Sequence, residues 1–330
     1  MAEPLRVLAI DGGGIRGIIP ATVLADLETR AGRPIADLFD LIAGTSTGGI
    51  LALGLALPGE GGKPAYRPGD LLELYVGEGP NIFRRSIFDR IRSLDGAIDE
   101  RYPADGLERV LKEALGEARL RDALTGVVVT AYDTDRRQPF FFRSARARQD
   151  AAYDYPMHVA ARATSSAPTY FEAARVVNEA SGEEYSLVDG GLFASNPAMV
   201  ALADAWRGDR ERPVVLLSLG TGSHTRRYPW KEVRDWGALE WARPVIDMLL
   251  DGSSDATEFE AGQLTAARGG ALGDRYWRVQ TELRKSSDDL DDASADNLRH
   301  LQEEASELVD RETAALAEAA NALCLRKSSG

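Results

Sequence analysis

Five residues, Gly44-Thr45-Ser46-Thr47-Gly48, constrain this chain more than any other feature. The apolar run Leu38 to Ala43 precedes them, and a second run, Ile50 to Leu57, follows. This order predicts a strand, a sharp turn and a helix, with Ser46 at the turn. Small residues on both sides, Gly44 and Gly48 above all, let the backbone bend tightly enough to lift a serine hydroxyl above the carboxyl end of a sheet. Gly-X-Ser-X-Gly also arises by chance in glycine-rich chains, so its weight comes from the flanking strand and helix.

A second glycine-rich turn lies upstream. Leu5 to Ile10 reads as a buried first strand and runs into Asp11-Gly12-Gly13-Gly14-Ile15-Arg16-Gly17, after which Ile18, Val23, Leu24 and Leu27 recur at helical spacing. Such a turn presents backbone N–H groups at the positive end of a helix, where an anion can sit. Gly12, Gly14 and Gly17 satisfy the dinucleotide-binding spacing Gly-X-Gly-X-X-Gly. The other reading is an oxyanion hole, in which these amides stabilise the negative oxygen of a tetrahedral intermediate. A dinucleotide fold wants an acidic residue at the end of the second strand, whereas this strand ends in Gly44-Thr45-Ser46. The hydrolase reading therefore accounts for both turns, and the nucleotide reading for one.

Composition narrows the field further. The net charge of −13 in 330 residues argues against a groove for a nucleic-acid polymer. The 44% hydrophobic content is enough for a proper core. Met1 to Ile10 lacks a charged and then long apolar leader, and no run is long enough to cross a bilayer, so a cytoplasmic location is expected. The lone Cys324 excludes an internal disulfide, and His158, His224 and His300 lie far apart, so neither a metal nor a cofactor is expected. Few lysines beside many arginines suggest a high-GC, bacterial genome.

Along the rest of the chain, helices are expected at Asp70 to Tyr75, Leu107 to Leu115, His158 to Ala163 and Ala198 to Trp206, with strands at Val127 to Ala131, Phe140 to Phe142, Tyr185 to Val188 and Pro213 to Leu219. Asn81 to Leu94 mixes Ile82, Phe83, Ile87, Phe88 and Ile91 with four arginines, which fits a packed amphipathic helix or a membrane-surface contact. The strand from Tyr185 delivers Asp189-Gly190-Gly191, an acid followed by residues with no side chain to block a close approach. Ser165 and Ser166 lack flanking glycines and are left structural. Packed helices are expected at Leu239 to Leu250 and around Phe259, an edge strand at Tyr276 to Gln280, and one long helix carrying Leu298, Leu301, Leu308, Leu316 and Leu323. No domain boundary is evident: residues 1–330 read as one α/β domain, a three-layer sandwich with a mostly parallel sheet. Its motif-bearing core spans about 5–222, and a helical part spans about 238–325.

The three motifs in this order, joined by Ser165-Ser166-Ala167-Pro168-Thr169-Tyr170-Phe171 and Asn196-Pro197, resemble the patatin-like phospholipases, a family of lipid acyl hydrolases. The resemblance implies a dyad without histidine, in which Ser46 is the nucleophile and Asp189 the proton acceptor. It also implies an oxyanion hole of Gly12, Gly13 and Gly14, with Arg16 holding the loop or an anionic head group. Gly17, Gly44, Gly48, Gly190 and Gly191 support these motifs. The implied substrates are phospholipids or other acyl lipids, with action at the inner membrane surface and no metal. Some bacterial members answer to a cyclic nucleotide, so a small nucleotide activator and a homo-oligomer stay open. An unperturbed aspartate, with a pKa of about 3.9, is a poor base toward serine. A triad of Ser46, Asp133 or Asp189, and His224 therefore also stays open at this point.

Overall fold

In a computed structural model of the chain, the residues described are 2–83, 102–223, 227–241 and 244–324. Among them, eight strands form one sheet: β1 (Leu5–Ile10), β2 (Leu41–Thr45), β3 (Gly126–Asp133), β4 (Gln138–Arg143), β5 (Ala174–Val177), β6 (Glu184–Asp189), β7 (Val214–Leu219) and β8 (Arg275–Val279). The run β3-β2-β1-β7-β8 is parallel throughout, while β4, β5 and β6 pair antiparallel.

The central strands are hydrophobic at successive positions because both faces of the sheet are covered. Leu8, Ile10, Ile42, Val127, Val129, Val215 and Leu217 point into one core layer. Val7, Ala9, Leu41, Ala43, Val128, Val214 and Leu216 point into the other. The first layer holds α1 (Ile18–Ala31), α2 (Thr47–Ala56), α3 (Pro68–Ile82), α4 (Ala104–Leu115) and α5 (Met157–Thr164). The second holds α6 (Ala198–Ala205) and α7 (Pro244–Leu272), and the sandwich is three-layered as expected. The final helices α8 (Ala295–Arg311) and α9 (Thr313–Cys324) pack on α1, on the first face.

Pairing registers bring the site together. Thr45, the last residue of β2, pairs with Thr130 of β3, and Asp189, the last residue of β6, pairs with Ala131. Since β4 occupies the opposite edge of β3 from Val128 to Asp133, β6 must lie on the same edge as β2. The two strands therefore run head-on along one edge of β3, and their carboxyl ends meet between residues 130 and 131.

Several boundaries differ from the sequence expectation. β2 begins at Leu41 because Pro34 opens a single helical turn over Ile35–Leu38 and the Asp40 carboxylate accepts hydrogen bonds from the Arg6 backbone and guanidinium. The two helices expected at Leu239 to Leu250 and near Phe259 are instead one helix of 29 residues, α7, which opens at Pro244, a residue suited to a first turn. The expected long C-terminal helix is two, α8 and α9, although its leucine stripe is buried throughout. At the break, the Thr313 hydroxyl donates to the Val309 carbonyl at 3.0 Å, a local bond that competes with the helical ladder.

Candidate active site

Ser46 sits between β2 and α2 at φ 54°, ψ −124°, the left-handed region that a non-glycine residue rarely enters. Its neighbours make that bend possible. A Cβ on Gly44 would lie 2.1 Å from the Gly48 carbonyl oxygen, and one on Gly48 would lie 2.1 Å from the Ile10 carbonyl oxygen. The Ser46 N–H donates to Thr164 Oγ1 at 2.8 Å, which fixes the turn against the end of α5.

The serine hydroxyl stands close enough to the Asp189 carboxylate to favour its charged form, and both residues line one cavity. Asp189 is buried, its Oδ1 accepts the Gly191 N–H at 2.7 Å, and its own N–H donates to the Ser166 carbonyl at 3.0 Å. Burial raises its carboxyl to about 6, partly offset by the nearby Ser46 hydroxyl and the Gly191 N–H. Gly190 fits closely over Thr130, and Gly191 over Leu250 of α7.

The upstream glycine turn closes over the serine. A Cβ on Gly12 would come within 3.3 Å of Ser46 Cβ. One expectation needs correcting here: the Gly12 N–H is committed to the Ser195 carbonyl at 2.9 Å and is not available to an oxyanion. The amides of Gly13 and Gly14 carry no recorded hydrogen bond among the described residues, and both glycines line the cavity. Arg16 is buried, and its Nε donates to the Gly13 carbonyl at 3.2 Å, so it braces the loop. Gly17 abuts the Thr47 side chain, whose hydroxyl pairs with Tyr75. The glycine spacing that resembled a dinucleotide motif is thus occupied by contacts within the chain.

Ser46, Asp189, Gly12, Gly13, Gly14 and Arg16 line one cavity of about 210 Å³. The rest of its wall is mostly apolar, including Ile15, Ile50, Phe83, Leu107, Phe171 and Leu250. No histidine lines it among the described residues. His158 bonds the Gly116 carbonyl through Nδ1, His300 sits on α8 outside the cavity wall, and His224 lies outside the described residues. Asp133, the other carboxylate considered for a triad, is absent from the cavity wall. It caps its own turn by accepting from Asp135 and Arg136. Of the amphipathic segment Asn81 to Leu94, Ile82 and Phe83 line the cavity, and residues 84–94 lie outside the described residues. No group of three His, Cys, Asp or Glu side chains suited to a metal ion occurs among the described residues, and no helix among them is long and apolar enough to cross a membrane.

Sequence reasoning missed two supports. Nothing in the sequence marks Thr164, the last residue of α5, as the partner of Ser46. Arg278 of β8 holds Asp11, the residue that opens the glycine turn, by two bonds of 2.6 and 3.0 Å in a buried pair. Only the pairing of β8 with β7 brings it there.

The chain matches the family model for patatin-like phospholipase over residues 8–202. It is 35% identical to patatin-like protein 1 of Oryza sativa subsp. indica, with 91% of this chain and 80% of that protein covered. It is 33% identical to patatin-like protein 2 of Arabidopsis thaliana, covering 94% and 84%. It is also 32% identical to a probable inactive patatin, patatin-3-Kuras 1 of Solanum tuberosum, covering 90% and 84%.

Proposed function

The chain belongs to the patatin-like phospholipase family, and from that premise we propose a phospholipase A-type serine hydrolase that works through a Ser46–Asp189 dyad on membrane phospholipids. Lipid acyl hydrolysis in general follows from the family. Because one relative is named as probably inactive, the fold alone does not carry the activity. The observation that carries it is Ser46, at its strained turn, on the same cavity wall as a buried Asp189 whose carboxyl is raised to about 6.

Burial answers the weakness of aspartate as a base. A carboxylate near 6 is better matched to accept a proton at neutral pH than one at about 3.9. As Ser46 Oγ bonds to the ester carbonyl carbon, its proton passes to Asp189 and the carbonyl electron pair moves onto oxygen. In this reading the Gly13 and Gly14 amides, which line the cavity and carry no hydrogen bond among the described residues, receive that charge. Collapse breaks the bond to the alcohol, which takes the proton from Asp189, and leaves an acyl group on Ser46. Water, deprotonated by the same carboxylate, then releases the fatty acid and restores the serine. Arg16, bound to loop carbonyls, keeps the glycine turn in place through both steps.

An active-site probe tests this reading apart from substrate choice. A fluorophosphonate should label the wild type on the peptide containing Ser46. Labelling should vanish in Ser46→Ala and slow by at least about 10²-fold in Asp189→Asn. Labelling at another serine, or undiminished labelling of Asp189→Asn, would overturn the dyad.

A further inference from the structure

The segment leading into α7 is rich in aromatic residues, three of them half-buried and one, Trp230, exposed. Three of the chain's five tryptophans, Trp230, Trp236 and Trp241, fall here together with Tyr228. Tyr228 and Trp236 stack edge to face at 5.4 Å, as do Trp236 and Trp241 at 4.9 Å, and Trp230 is 70% exposed. The first turns of α7 add exposed apolar side chains. Val245 and Leu249, four residues apart on one stripe, are 39% and 53% exposed. Their neighbours Ile246 and Leu250, on the adjoining stripe, line the cavity that holds Ser46. Apolar surface therefore runs from the cavity wall around the helix to solvent, and the aromatic segment adjoins it in sequence.

We infer that Trp230 and the Val245–Leu249 stripe dock the protein onto a zwitterionic phospholipid surface, with the cavity facing the lipid. The inference rests on the acyl-lipid reading of the cavity. Tryptophan and tyrosine suit the interface of a bilayer because each offers an apolar ring and a polar N–H or O–H. The arginine beside Trp230, Arg234, lies over its ring at 5.2 Å and can keep its charge in the headgroup layer. Charge selects the kind of surface. Between residues 227 and 241, Arg227, Lys231 and Arg234 are balanced by Glu232, Asp235 and Glu240. The cavity side of α7 adds Asp251 and Asp255, so an anionic surface gains nothing over a zwitterionic one.

Docking is measured on Ser46→Ala protein, which leaves vesicles intact whichever group is the base of Ser46; fatty-acid release by this variant would instead overturn the nucleophile assignment. Phosphatidylcholine vesicles should shift its tryptophan emission to the blue, and brominated lipid should quench it. Trp230→Ala and Leu249→Asp should each lower vesicle partitioning by about tenfold or more, and high salt should change it less than about twofold. In the catalytically intact background, the same two substitutions should reduce hydrolysis of vesicles in parallel. Hydrolysis of a water-soluble short-chain ester should stay within about twofold. Unchanged partitioning in both variants would overturn the inference, as would equal loss on the soluble ester. A dimer that Leu249→Asp dissolves, with no vesicle binding by the parent, would also overturn it and assign the patch to a second copy of the chain.

Discussion

Burial raises the Asp189 carboxyl to about 6, so under the proposed dyad this one residue ties pH both to turnover and to folding. As a base it must be ionised, and kcat/KM should fall on the acid side with an apparent pKa near 6. That limb should persist in His224→Ala; a limb near 4 in the wild type, or one lost with His224, would contradict the assignment. The effect on stability has the opposite sense from that of an ordinary paired carboxylate. Between about 4 and 6 the folded state holds a proton that the unfolded chain has released, so ionising Asp189 costs stability as pH rises through that window. Two units correspond to about 3 kcal/mol. Asp189→Asn should therefore unfold at a higher denaturant concentration than the wild type at pH 7 but not at pH 4, while being inactive. Among individual residues, Ser46 and Asp189 were legible in the sequence because glycines flank them for steric reasons visible in any chain. The Gly12 amide was not, since its partner, the Ser195 carbonyl, lies far along the sequence.

At the level of elements, the site depends on the end of α5, which holds both members of the pair. Thr164 Oγ1 accepts the Ser46 N–H, and two residues later the Ser166 carbonyl accepts the Asp189 N–H. Thr164→Val removes the first acceptor at nearly constant volume and leaves a buried donor unpaired, at a cost of about 1–3 kcal/mol. We expect kcat to drop by about tenfold or more with KM little changed, and Thr164→Ser to restore it, as steady-state kinetics on a short-chain ester would read. Failure of the serine variant to rescue would show a packing role only. The strands and helices named from the sequence were read with the right type and their ends moved by a few residues, while β5 (Ala174–Val177) was not read at all. What the sequence did not disclose was direction. Nothing in Glu184–Asp189 distinguishes a parallel strand from an antiparallel one, yet only antiparallel pairing brings the end of β6 to the end of β2.

For the whole molecule, the C-terminal third is part of the site. β8 extends the sheet beside β7, Arg278 pairs with Asp11, and Leu250 and Leu290 line the cavity. Arg278→Met strands a buried carboxylate and should destabilise the protein by about 3–5 kcal/mol in denaturant unfolding. Adding Asp11→Asn should recover much of that loss, whereas a double variant no more stable than the single would remove the ion pair from the account. The three-layer architecture was legible because apolar runs alternate with helical patterns. The role of residues beyond 222 was not, since an arginine in an edge strand carries no local mark of its partner. The most direct test of the central claim is fatty-acid release from mixed phospholipid vesicles by the wild type, Ser46→Ala, Asp189→Asn and His224→Ala, with a chelator present. The account predicts release by the wild type and His224→Ala within about twofold of each other, and a loss of at least about 10²-fold in the other two. Release that survives Asp189→Asn, or that disappears with His224→Ala in a folded protein, would contradict it.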